Sequence, residues 1–331
     1  MKIGPIGIHL GDQRIKIAQV ASDKDRIQII EMVSLPTPEG SIIQGFVKAP
    51  RVAADAIMRA ISESKFNGRK AVIAHPTEIL KVHTMTVQDS AELDKAISTK
   101  LSQMSFEQPE ELIFDYKIAA RENGRVKAIV AITNKKHVQK IQELATQSKL
   151  TLGGTDLEML STYRVVAGTY RTPDTPTVIA MLSDQNVKLA LFCERVLSYV
   201  KTTDLQSSQA KSDPKQLSSE IGKFLGEYRK TNLLTGEPVI FLAGLPEPSF
   251  EMEKAVWEEL DSRTTSVRWS EAFSLSPTYN NFGELTTRFG AFCCAIGLSL
   301  SDMQLPQSFK SPIIPDVRQP GYTPDLLKFE G

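Results

Sequence analysis

The chain has 331 residues, 41% hydrophobic and 24% charged, and its 39 basic side chains are matched by 39 acidic ones. A zero net charge leaves no electrostatic footprint for nucleic acid or an anionic membrane surface, and the length suits two or more subdomains burying about 75% of the unfolded surface. No apolar run approaches the roughly 18 residues of a spanning helix, and the N-terminus lacks the roughly 7–15-residue apolar core of a signal peptide, so a soluble cytoplasmic chain is expected unless a partner tethers it.

Ile6 and Ile8 alternate before Gly11, and Ile15 and Ile17 alternate after it, so residues 6–20 read as a β-hairpin with a tight turn at Gly11. Such a turn aims backbone N–H groups at whatever lies above it, which suits a phosphate. A bound Mg²⁺ would also need a carboxylate there, and the position before the turn carries His9 instead. Residues 26–33 form a third strand, and the loop 36–45 is broken by Pro36, Pro38, Gly40 and Gly45. Val52, Ala53, Ala56, Ile57, Ala60 and Ile61 recur at helical spacing and predict a helix over 51–64. Strands follow at 71–74 and 79–87. Three leading strands, a helix and a strand, without Gly-x-Gly-x-x-Gly, exclude a doubly wound dinucleotide fold and suit a mixed sheet.

Residues 89–150 read as a small α+β insert. It has a helix at 91–104, strands at 112–120 and 127–133 around Glu122-Asn123-Gly124, and a helix at 135–149 with Val138, Ile141, Leu144 and Ala145 on one face. Asp156 is placed to cap a helix over 157–170. Thr172-Pro173-Asp174-Thr175-Pro176 is the clearest linker. Beyond it, strands at 177–182, 187–193 and 196–202, a helix at 217–230 and a strand at 239–244 repeat the opening of the chain. Helices at 250–260 and 289–300 complete this half. Cys193, Cys293 and Cys294 make neither an even disulfide framework nor a metal spacing, and the adjacent pair reads as buried thiols. The repeat divides the chain into a first domain of 1–88 plus 151–174, the insert 89–150, a second domain 175–300 and a Pro-rich arm 301–331. The arm holds Leu305, Phe309, Ile313, Ile314, Val317 and Tyr322 among others, and is expected to wrap its own body or a neighbour, with plain disorder as the alternative.

Several segments carry a family likeness. Gly7-Ile8-His9-Leu10-Gly11-Asp12 with Lys16 stands against Gly-Ile-Asp-Ile-Gly-Ser followed by Lys. Asp115-Tyr116-Lys117 and Thr155-Asp156-Leu157-Glu158 match in and after the insert. Glu220-Ile221-x-Lys223 with Tyr228 looks like a Glu-Ile-x-Arg helix near an adenosine, and Ala295-Ile296-Gly297-Leu298-Ser299-Leu300 looks like the closing Ala-x-Gly-Leu-Ala-Leu helix. On these residues the chain resembles, over 3–300, the PilM family of type IV pilus assembly proteins, itself similar to the division protein FtsA. The cytoplasmic domain of the secretion protein GspL is also similar in fold, but continues into a spanning helix.

The resemblance implies an α/β (mixed) fold of duplicated actin-like, ribonuclease-H-like domains. It also implies a nucleotide cleft built from Gly7, Gly11, Asp12, Lys16, Glu220, Lys223 and Gly244. The departures fall where the chemistry would sit. The first Asp is His9, a second Asp-Ile-Gly is Met181-Leu182-Ser183, and the Gly-Gly-x loop is Ala243-Gly244-Leu245-Pro246, with Leu245 and Pro246 expected to fill space a ribose needs. Asp12 and Asp184 either take over the metal or are turn residues. The cleft therefore reads as vestigial, with no catalytic residue, metal or cofactor assigned and ATP with Mg²⁺ as the alternative.

The implied function is a cytoplasmic scaffold, peripheral to the inner membrane, that captures the short N-terminal segment of a PilN-like bitopic protein between the first domain and the insert, with self-association open. The alternative is an ATPase or polymerising protein of the PilM/FtsA type. Neither nucleic acid nor direct membrane insertion is expected, since Pro306, Pro312, Pro315, Pro320 and Pro324 exclude the amphipathic C-terminal helix of FtsA. No His-Glu-x-x-His, Cys-x-x-Cys or Gly-x-x-x-x-Gly-Lys-Ser/Thr pattern occurs. His9 reads as a satisfied buried imidazole and His83 as a half-buried polar residue on a strand.

Overall fold

The computed structural model describes residues 2–23, 26–76, 81–104, 112–170, 175–183, 186–193, 195–205, 213–230, 232–276, 282–301 and 303. The first half runs β1 (Lys2–Ile3), β2 (Ile6–Leu10), β3 (Arg14–Asp23), β4 (Arg26–Pro36), the short hairpin β5 (Ile42–Ile43) and β6 (Phe46–Val47), α1 (Pro50–Ser62) and β7 (Lys70–His75). It continues through β8 (Lys81–Gln88), α2 (Leu93–Ser102), β9 (Leu112–Glu122), β10 (Arg125–Asn134), α3 (Lys135–Gln147), β11 (Thr151–Leu157) and α4 (Glu158–Tyr170). The second half comprises β12 (Thr177–Leu182), β13 (Asn186–Cys193), β14 (Val196–Asp204), α5 (Pro214–Arg229), β15 (Val239–Ala243), α6 (Phe250–Leu260), β16 (Thr264–Ser266), β17 (Phe273–Leu275) and α7 (Phe282–Ser299).

Two sheets share one strand order. The first is β11-β7-β2-β3-β4, extended by β17 beside β4, and the second is β16-β15-β12-β13-β14. In each, two antiparallel neighbours follow the opening strand and two parallel ones lie on its other side. The central strands are apolar on both faces because both faces are covered. Ile6, Ile8, Ile15, Ile17, Ala71 and Ile73 turn outward onto α1 and α3, while Val20, Val72 and Ala74 turn inward. In the second sheet Val178, Ala180, Leu189 and Ile240 pack outward on α5 and α6, while Ile179, Ala190, Phe192 and Phe241 turn inward. α4 and α7 fill the space between the sheets, and the stacked Tyr163 and Phe192 rings, 4.0 Å apart, lie in that shared core. Each such fully buried side chain contributes about 1.5–3 kcal/mol.

The pairing shifts several expected assignments. β8, expected in the first domain, forms the three-stranded sheet β8-β10-β9 with the insert strands and closes a separate small core with α2. α3, expected in the insert, packs on α1 through Ile141, Leu144 and Ala145. α7, expected in the second half, and β17, a strand not anticipated in that half, lie against the first sheet, because the helix needs a face that accepts close backbone contact. There a Cβ on Gly7 would stand 2.0 Å from the Ala295 carbonyl oxygen, and Ser299 Oγ donates to the Pro5 carbonyl at 2.5 Å. Residues 151–157 are a parallel strand and α4 begins at Glu158, so Asp156 is no N-cap. Its carboxylate instead accepts from Ser161 and Arg164. Most of the linker 172–176, Asp184, the His83 side chain and most of the arm 301–331 lie outside the described residues.

Candidate functional site

The turns ending β2 and β12 face one another across a cleft of about 110 Å³. Its lining includes His9, Gly11, Asp12 and Lys16 from the first hairpin, Met181, Ser183 and Lys188 from the second, Glu158 at the start of α4, and Cys293 and Cys294 on α7. Pairing sets this arrangement, because His9 lies opposite Lys16 in one ladder and Met181 opposite Lys188 in the other. Both positions sit just before a turn, so each lysine lies across the ladder from a position where the resemblance expects a carboxylate. The primary structure repeats as well. Leu10, Asp12, Gln13, Lys16 and Ala18 recur in identical spacing as Leu182, Asp184, Gln185, Lys188 and Ala190. This offset was the sequence signal that marked Lys188, which motif reading missed.

Glu158 is the charge centre. Lys188 Nζ stands 2.7 Å from its Oε1 and His9 Nε2 lies 3.4 Å from its Oε2, with the three side chains 9%, 13% and 2% exposed for Lys188, His9 and Glu158. Burial alone would raise the Glu158 carboxyl, but the Lys188 ammonium and the His9 ring outweigh it and hold the group well below the usual carboxylate range. Burial lowers His9 more than Glu158 raises it, so the imidazole is neutral at pH 7. Its Nδ1 is buried without a hydrogen-bond partner. Burial also pushes the Cys293 thiol up to about 11, which keeps it protonated and inert.

The remaining predicted residues divide. Gly11, Asp12, Lys16 and Gly244 line the cleft. Asp12, however, accepts from the Gln44 and Gly45 backbone N–H groups at 2.6 and 2.9 Å, so its carboxylate holds a loop. Gly244 has φ +83°, and a Cβ there would meet the Leu182 carbonyl oxygen at 2.3 Å. Lys16 has neither a hydrogen bond nor an ion pair among the described residues, and burial lowers its pKa. Gly7 serves the α7 contact and does not line the cleft. Glu220 and Lys223 pair with each other at 2.6 Å on α5, outside the lining. Leu245 joins the core under α5 and α6 and Pro246 is exposed, so neither fills the cleft as expected.

The family described as type IV pilus assembly protein PilM matches residues 7–183, more than half of the chain. The chain belongs to the PilM family. Among solved structures, this PilM family member is similar to a PilM–PilN type IV pilus biogenesis complex, with 18% identity, a TM-score of 0.74, and 91% of this chain and 98% of that one covered. It is also similar to the ethanolamine utilization protein EutJ of Carboxydothermus hydrogenoformans, at 8% identity and a TM-score of 0.51, over 91% and 90% of the two chains. These likenesses establish the duplicated actin-like α/β fold. No curated protein sequence matches.

The described residues of this PilM family cleft do not fit a magnesium nucleotide. Mg²⁺ requires near-octahedral oxygen ligation, normally through carboxylates and phosphates. The two described carboxylates in the lining are engaged elsewhere, Asp12 by the Gln44–Gly45 backbone and Glu158 by Lys188. No group of three metal-ligating side chains occurs among the described residues. A dication would also meet two ammonium groups, Lys16 and Lys188.

Proposed function

We propose that this protein is a non-catalytic actin-like scaffold of a type IV pilus-like assembly platform, which captures the short cytoplasmic N-terminal segment of a PilN-like bitopic membrane protein. One observation carries the non-catalytic part: the carboxylate that faces the phosphate turns is neutralised by Lys188. The partner is inferred from family membership and from the likeness to a PilM–PilN complex. No helix among the described residues is long and apolar enough to cross a membrane, so association with the inner membrane would run through the partner.

Strand addition is the mode we favour for capture, since β8 and β9 are the edge strands of the insert sheet among the described residues. Main-chain hydrogen bonds would hold the peptide, and side-chain pockets between insert and body would select it. Calorimetry of the full chain with the partner's N-terminal peptide tests this reading. Saturable one-to-one binding supports it, and absence of binding by folded protein overturns it. The ATP-binding alternative draws on the free Lys16 ammonium and the Gly11 turn. By linkage, MgATP at about 100 times its dissociation constant would add about 2.7 kcal/mol to stability, so a flat thermal-shift series rejects it.

A further inference from the structure

The two turns, Lys188, Glu158 and His9 form a bridge from one sheet to the other. Lys188 belongs to β13 of the second sheet, His9 to β2 of the first, and Glu158 is the first residue of α4, which packs between them. Each Glu158 oxygen faces a different sheet, at 2.7 Å on the Lys188 side and 3.4 Å on the His9 side. One ammonium, one carboxylate and a neutral imidazole sum to zero charge, so the group is balanced without any added ion. A two-sided carboxylate buried to this degree requires a cation on one side, since an isolated buried charge costs several kcal/mol. The chain supplies that cation itself.

We propose that the Lys188 ammonium is a built-in substitute for a bound metal, and that the Lys188–Glu158–His9 bridge clasps the two halves at the cleft without any ligand. Closure is then a constant of the fold and does not report nucleotide, and a divalent cation finds the Glu158 carboxylate already taken by the Lys188 ammonium at 2.7 Å. The inference goes beyond the scaffold reading and stands or falls independently of peptide binding.

Hydrogen exchange on the full chain without ligand tests it, read at the backbone amides of 7–11, 157–160 and 181–183. Lys188→Met is expected to quicken exchange there at least tenfold while the amides of α5 and α6 are unchanged, and Lys188→Arg is expected to restore protection. Glu158→Gln provides a second route if Lys188→Met does not fold, with the same local tenfold effect expected. Adding MgATP to the wild type is expected to change nothing. Unchanged exchange in the variants overturns the clasp, as does wild-type protection by MgATP that disappears with ATP and a chelator.

Discussion

Gly297 lies flush against Ser161, so that a Cβ on Gly297 would stand 1.8 Å from the Ser161 carbonyl oxygen. This contact sets the spacing of α4 and α7, the helices that separate the two sheets. Gly297→Ala should cost about 2–3 kcal/mol through forced separation of the helices. Gly226→Ala on α5, where nothing lies within 4 Å of the new Cβ, should instead stabilise by about 0.5–1 kcal/mol. Urea unfolding of both variants measures the contrast.

Arg164 ties the same seam electrostatically. It donates to Asp156 at 2.9 Å and to the Gly297 carbonyl at 2.6 Å, and both charged side chains are 9% exposed. Arg164→Met leaves Asp156 buried without its cation and should cost about 3–5 kcal/mol. Arg164→Lys should recover only part of this, because an ammonium cannot reproduce the planar fork. Thermal unfolding of the pair decides.

His75 and His137 lie with ring centroids 5.1 Å apart, and His75 Nδ1 and His137 Nε2 are buried without hydrogen-bond partners. Burial, with the other ring adding to it, lowers His75 to about 3, and burial with nearby Lys48 lowers His137 to about 4. Both pKa values fall below the unfolded value, so the unfolded chain takes up protons first and stability drops as pH falls from about 6.5. The loss should approach about 1.4 kcal/mol per pH unit for each ring down to pH 4. Denaturation midpoints across pH 4–7 should flatten in the His75→Leu, His137→Leu double variant.

Lys16 is a buried cation of the cleft without an ion-pair partner among the described residues. Lys16→Met should raise stability by about 1 kcal/mol at pH 7 by removing a poorly solvated charge. The folded pKa lies below the unfolded one, so wild-type stability rises as pH climbs through the folded value toward about 10.4. The advantage of the variant should therefore shrink between neutral pH and pH 10, which unfolding at the two extremes would show.

The strand and helix content of both halves was legible because alternation and 3.6-residue periodicity are local. Ile6, Ile8, Ile15 and Ile17 announced their hairpin, and residues 250–260 their helix. Membership of α7 was not legible, because an all-round apolar helix says only that it is buried. β16 and β17 have three residues each, too short to leave a periodic trace, and β11 was hidden by Gly153 and Gly154. In the cleft, loss of the expected carboxylates could be read directly from His9 and Met181. Their replacement by a resident ion pair could not, since Glu158 and Lys188 are 30 residues apart and meet only when the two ladders face each other.

The chain leaves the first sheet at His75 and returns to it at α3, whose His137 ring is 5.1 Å from the ring of His75. The described strands β8, β9 and β10 between them form their own sheet, and with α2 they enclose a core of Met85, Ile97, Val126 and Val130. Departure and return are thus little more than a side chain apart, and the insert is topologically a cassette plugged into a single socket. Its surface can be exchanged, lengthened or recoded while both large sheets and the seam between them keep their geometry. Under the scaffold proposal, recognition by the insert is thus mechanically separate from the framework that carries it.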